Sequence, residues 1–151
     1  MRVHSERLAQ SIPPLDSLDD AIDERIASGE SEEAVTLDVI EDFERSATTA
    51  NARSTPLVPA SGILVTAAGI LAREGDVTAG FAYLAMVLAL GGLAFLATAL
   101  LTHAGRPSVG LTPTREDIPF VRARLIKKEA NARLGAVLTA FGFVVLIFVL
   151  V

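Results

Sequence analysis

Apolar positions change character partway along this chain. Up to about residue 48 they recur singly among charges, and from residue 54 onward they fuse into long uncharged runs. In the first stretch Leu18, Ile22 and Ile26 fall at i, i+4 and i+8, which predicts a short helix with Ser17 as its cap and Gly29 as its terminator. A second helix is expected to open at Ser31, with Glu32 and Glu33 in its electropositive first turn. Val35, Val39 or Ile40, Phe43 and Ala47 make its single apolar stripe, too thin to enclose a core, so residues 1–56 are expected to dock on something.

The uncharged runs are Ser54–Ala72, Val77–Thr102 and Leu134–Val151, 63 residues without Asp, Glu, Lys, Arg or His. About 20 helical residues cross roughly 30 Å of hydrocarbon, so the runs predict three transmembrane helices over 57–72, 78–102 and 134–151. Pro56 and Pro59 stand at the start of the first, where a missing N–H is tolerated. Arg73-Glu74-Gly75-Asp76 is a tight polar link, and His103 to Pro113 is a loop broken by Gly105, Pro107 and Gly110. Asp117-Ile118-Pro119 reads as a helix start capped by Asp117, and residues 118–151 then form one helix of about 50 Å. That is about 20 Å more than the hydrocarbon needs, and the excess is expected to stand clear as a basic stalk.

These elements predict an all-α integral membrane protein: an acidic cytoplasmic arm, 1–56, and a three-span membrane domain, 57–151, whose loop and stalk occupy 103–133. A mean hydropathy of +0.48 and 51% hydrophobic content fit that class, and exclude an ordinary soluble enzyme and a nucleic-acid binder. The absence of cysteine excludes thiolate chemistry, a disulfide scaffold and zinc–sulfur sites. The first residues lack an apolar stretch of the signal-peptide kind, so insertion is expected to be directed by the first span.

Charge sets the expected orientation. The arm carries 13 acidic residues against five arginines, a net of −8. Segment 103–133 carries seven cations against Glu116, Asp117 and Glu129, a net of +4. With three spans, twelve of the thirteen cations share one face, and only Arg73 lies opposite. By the positive-inside rule the N-terminus is cytoplasmic and Val151 lies at the outer boundary of a cell inner (plasma) membrane.

Two spans share the pattern G-x-x-x-T-A-x-G: Gly62, Thr66 and Gly69 in the first, Gly135, Thr139 and Gly142 in the third. Each set falls on one helix face of small residues, the kind that lets transmembrane backbones approach closely. Ala85, Ala89 and Gly92 offer a comparable stripe in the second span. These nine residues are the candidate helix-packing set, for a bundle within one chain or between copies. The tetrapeptide Ala-Asn-Ala-Arg also recurs, at 50–53 and 130–133, at unequal distances from the two glycine patterns.

Catalytic and ligand chemistry finds little to use. No Asp, Glu, Lys, Arg or His lies in a span, which removes the usual apparatus of coupled transport and intramembrane hydrolysis. His4 and His103 lack metal-ligand spacing, and His103 is expected to be a polar cap at the membrane surface. The paired acids of the arm read as a solvated helix face. No metal, no cofactor and no catalytic residue is expected. Arg122, Arg124, Lys127, Lys128 and Arg133 of the stalk are expected either to meet the arm or to attract anionic lipid. Opposite net charges, with Ile118, Val121 and Leu125 facing Val35, Val39 and Phe43, favour arm docking.

The order of parts is a cytoplasmic helix, Ala50-Asn51-Ala52-Arg53-Ser54 before the first span, a short link, a second span followed by Arg106-Pro107, a lysine-bearing helix and a final span. In this layout residues 42–151 resemble the membrane module of Pycsar effector proteins, bacterial anti-phage proteins that damage the inner membrane when a cyclic pyrimidine nucleotide is sensed. The acidic-residue-then-Lys-Ala entry of those proteins is here Asn51-Ala52-Arg53-Ser54, and 56 residues leave no room for a separate nucleotide-binding domain. The resemblance implies a multi-span membrane effector. The function expected from the sequence is therefore a non-enzymatic membrane protein acting through assembly or a cytoplasmic partner, as a homo-oligomer or a subunit of a membrane complex. The alternative is a holin-like pore or small channel, for which the spans offer only isolated threonines.

Overall fold

Five helices account for the architecture in a computed structural model that describes residues 13–73, 78–102 and 114–150. They are α1 (Leu15–Ala27), α2 (Glu32–Ser54), α3 (Leu57–Leu71), α4 (Thr78–Leu101) and α5 (Asp117–Leu150). The described residues are 89% helical and include no strand. The expectations placed on His4, His103, the 74–76 link, the 103–113 loop and Val151 lie outside the described residues.

Local chemistry explains the helix ends, with two departures from the sequence reading. α1 begins at Leu15, ahead of Ser17, whose Oγ donates to the Pro14 carbonyl at 2.9 Å and does not cap. Pro14 can precede the first turn because the N–H that proline lacks is not needed there. α1 ends where Gly29 adopts φ +98°, a left-handed conformation that a side chain would strain. Ser31 caps α2 as expected, its Oγ accepting from Ala34 N at 3.3 Å. Asp117 turns backward, accepting from Thr114 N at 3.0 Å, so it ties down the approach to α5 and does not cap it. Between α2 and α3 the backbone keeps a helical turn, Thr55 N donating to Asn51 O at 2.9 Å and Val58 N to Thr55 O at 3.3 Å.

Three helical stretches are long and apolar enough to cross a membrane: Glu32–Leu71, Ala79–Leu101 and Asp117–Leu150. The chain divides into two compact units, and the division runs through α2 and α5. One unit includes residues up to Thr48 with His103–Ile126, and the other comprises Thr49–Thr102 with Lys127–Val151. The sequence division at residue 56 therefore differs from the compact division. The stalk residues up to Ile126 belong with the arm because they complete its core.

That first core contains Leu18 and Ile22 of α1, Val35, Ile40, Phe43 and Ala47 of α2, and Ile118, Val121 and Leu125 of α5, with Ile26 and Val39 half-buried against it. The second contains Leu64 and Ala68 of α3, Ala85 and Ala89 of α4, and Leu146 of α5. Alanines at the centre of the second core mark helices packed backbone to backbone, where dispersion between close surfaces replaces large interlocking side chains.

Candidate functional site

The second unit is organised around a seam in which α4 and α5 run antiparallel. A methyl group placed on Gly92 would stand 2.5 Å from Thr139 Oγ1 and 3.0 Å from the Gly135 carbonyl oxygen. One placed on Gly135 would stand 2.7 Å from Leu96 Cγ and 2.9 Å from the Gly92 carbonyl oxygen. One on Gly142 would meet Leu64 Cδ2 at 2.8 Å and the Ala85 carbonyl oxygen at 3.3 Å. At Gly92 and Gly135 a methyl would press on backbone atoms of the facing helix, whereas at Gly142 it would first displace the end of the Leu64 side chain.

α3 enters the seam through a polar contact. Ser61 Oγ and Thr139 Oγ1 lie 2.9 Å apart, and both residues are buried. Each hydroxyl also reaches a carbonyl one turn back on its own helix, Ser61 to Leu57 O at 2.9 Å and Thr139 to Gly135 O at 2.8 Å. Ser61 opposite Thr139, with Leu64 opposite Gly142, makes α3 and α5 parallel at a constant offset of 78 residues. The repeated glycine patterns are offset by 73 residues in sequence, so packing does not bring equivalent positions together.

Of the nine predicted packing residues, Ala85, Ala89, Gly92, Gly135, Thr139 and Gly142 lie in this seam. Gly62, Thr66 and Gly69 do not. Gly62 has open space where a methyl would stand, Gly69 only Met86 Sδ at 4.0 Å, and Thr66 is exposed with its hydroxyl returned to the Gly62 carbonyl. The reason is rotation: α3 turns Ser61, Leu64 and Ala68 inward, which leaves Gly62 and Gly69 half-buried beside that face and Thr66 exposed.

The five stalk cations separate into distinct environments. Arg122 meets the arm, its Nε donating to the Pro13 carbonyl at 2.9 Å. Arg124 lies over the Phe120 ring, 4.2 Å from its centroid, a cation–π contact within one helix. Lys128 is turned inward. It is only 3% exposed and donates to the Thr102 carbonyl at 2.9 Å, satisfying an orphan acceptor at the end of α4. Arg133 pairs with Glu129 at 2.7 Å one turn away, and Lys127 is exposed.

The principal ionic clasp of the first unit was not foreseen. Arg115 spans Asp23 at 2.7 Å and Asp19 at 3.1 Å, and these two carboxylates hold its guanidinium even further above neutrality than usual. The signal was present as acids at i and i+4 on one face of α1, a spacing that suits a guanidinium fork. A second arginine, Arg25, joins Glu30 at 2.6 Å and Asp38 at 2.7 Å, tying the α1–α2 turn to α2. Its hydrogen bonds hold the Glu30 carboxyl below the ordinary glutamate range. Buried Thr36 Oγ1 and Asn51 Oδ1 have no hydrogen-bond partner.

Chemically, the seam can hold helices together, and the arm core holds α1 and α2 against the start of α5. Among the described residues no group of three or more His, Cys, Asp or Glu side chains is placed to hold a metal ion. No family model, no curated protein and no solved structure matches this chain.

Proposed function

We propose that this chain is a small multi-pass membrane protein, non-enzymatic, which acts by assembly or by presenting its cytoplasmic arm to a partner. The observation that carries this reading is the inversion of the second unit. Its large apolar residues point outward, among them Val87 at 61% exposure, Phe141 at 60% and Phe148 at 80%, while small residues and satisfied hydroxyls occupy the interior. In water such a surface would be strongly unfavourable, whereas in lipid it is the expected arrangement. Twelve cations on one face support a cytoplasmic N-terminus and an extracytoplasmic C-terminus in the plasma membrane. The resemblance in layout to the Pycsar membrane module, carried by sequence order alone, supports an effector role, with the arm core as the place where a signal would act.

The test combines alkaline extraction of membranes with reporters fused at each end. Retention in the membrane pellet, a cytoplasmic signal before Met1 and an extracytoplasmic one after Val151 are expected. Both reporters on one side would overturn the three-span topology, and release by alkali would overturn the membrane assignment. Within the seam, the two hydroxyl protons have three acceptors in reach, the carbonyl one turn back on each helix and the facing hydroxyl, so both are satisfied without water, which supports a dry contact over a wetted pore. A membrane-potential dye should therefore show no leak on overexpression.

A further inference from the structure

We propose that the end of the second unit where α4 stops is a binding belt for anionic phospholipid headgroups, formed by Arg53, Lys127 and Arg133. The proposal rests on the membrane reading above and adds a lipid class and a set of residues to it.

The argument is one of level. The antiparallel contacts of Gly92 with Thr139, Ala85 with Gly142 and Thr102 with Lys128 set the last turn of α4 beside residues 127–128 of α5. The parallel offset of 78 residues between α3 and α5, carried back along the helical path, sets Arg53 level with Asn131. Arg53 from α2 and Lys127 and Arg133 from α5 thus fall within about 9 Å along the axis of α5, at 1.5 Å per residue. All three are exposed.

Beyond this band, residues 54–72 of the chain, 78–102 and 134–150 carry no charge. Among the described residues the other cation at the level, Lys128, is buried under the α4 terminus and is not available to a headgroup. The acid at the level is Glu129, which engages Arg133 in an exposed pair. Exposed cations still outnumber it, and they border the outward apolar surface of Leu101, Leu134 and Val137. A layer of apolar surface ending in exposed cations matches acyl chains ending in phosphates. A lipid phosphate satisfies arginine and lysine there, with phosphatidylglycerol as the simplest anionic case.

The experiment reconstitutes the full chain in vesicles of phosphatidylcholine, or of phosphatidylcholine with one third phosphatidylglycerol. It then measures by spin-label immobilisation which lipid contacts the protein. Preference for spin-labelled phosphatidylglycerol over phosphatidylcholine is expected, up to about fivefold for each cation at low salt and weakened by salt. The triple variant R53Q/K127Q/R133Q should insert as well as the parent and lose that preference. Equal association of the two lipids with the parent, or an unchanged preference in the triple variant, would overturn the belt while leaving the membrane reading intact. Failure to enter either vesicle would overturn the membrane reading, and the belt with it.

Discussion

Exchanging a hydrogen for a methyl at Gly92, and separately at Gly62, isolates the energetic content of the seam. Both glycines lie inside helices, so alanine brings the same gain in helix propensity at each, about 0.8–1.0 kcal/mol in aqueous hosts. Comparing the two variants cancels that contribution. At Gly62 nothing lies within 4 Å of the new methyl. At Gly92 it stands 2.5 Å from Thr139 Oγ1, 3.0 Å from a backbone oxygen and 3.1 Å from a backbone nitrogen, so α4 and α5 must separate. Overpacking of this kind costs about 1–3 kcal/mol, which places Gly92→Ala below Gly62→Ala by that amount, roughly 5- to 150-fold in the folding equilibrium. Reversible unfolding by sodium dodecyl sulfate in mixed micelles, followed by far-ultraviolet circular dichroism, reads the difference directly. If the two variants unfold together, the close approach at Gly92 does not contribute to the stability of the bundle, and the seam is wrongly placed.

Three further outcomes are expected. Phe43→Asp should release residues 31–48 to hydrogen exchange far more than Arg115→Gln, because Phe43 is 6% exposed in the arm core whereas the Arg115 clasp is half in solvent; equal release would mean that charge holds the arm. Lys128→Met should destabilise the bundle by about 1–3 kcal/mol by leaving the Thr102 carbonyl unpaired, without altering lipid preference, and a loss of lipid preference in this variant would contradict the belt. Glu30 has a depressed pKa in the folded state, so its contribution to stability is present above its unfolded value and is lost as pH falls through the folded one. A carboxyl titration by NMR should place Glu30 below the ordinary glutamate range, and the Arg25→Gln variant should return it there.

Helix number and extent were legible because the chain writes them in periodicity and punctuation. The uncharged runs led to 57–72 and 78–102, and the helices are Leu57–Leu71 and Thr78–Leu101. The stripe Val35, Val39 or Ile40, Phe43 and Ala47 and its complement Ile118, Val121 and Leu125 were visible among polar neighbours, and they form one core in which Ile40 is buried and Val39 half-buried. Helix rotation was harder to read. A span that is apolar on every side has no face marked by water, so the small residues Gly62-Thr66-Gly69 were read as the inward face of α3, and Ser61-Leu64-Ala68 is the face that packs. A hydroxyl pair and the shape of Leu64 decide between them. Lys128 was illegible for a related reason: in sequence it is one of five stalk cations, and only the position of the α4 terminus separates it from Lys127.

α5 supplies a wall to both compact units: Ile118, Val121 and Leu125 to one, and Gly135, Thr139 and Gly142 to the other. It is also the last of the five helices to leave the ribosome, which at about 5–20 residues per second follows α4 by seconds. Until then Leu18, Ile22 and Phe43 lack their partner, and Gly92 has no helix to meet. Biogenesis therefore acquires a checkpoint. A nascent chain halted before residue 117 holds two incomplete cores at once, so neither unit can close until the last helix is made.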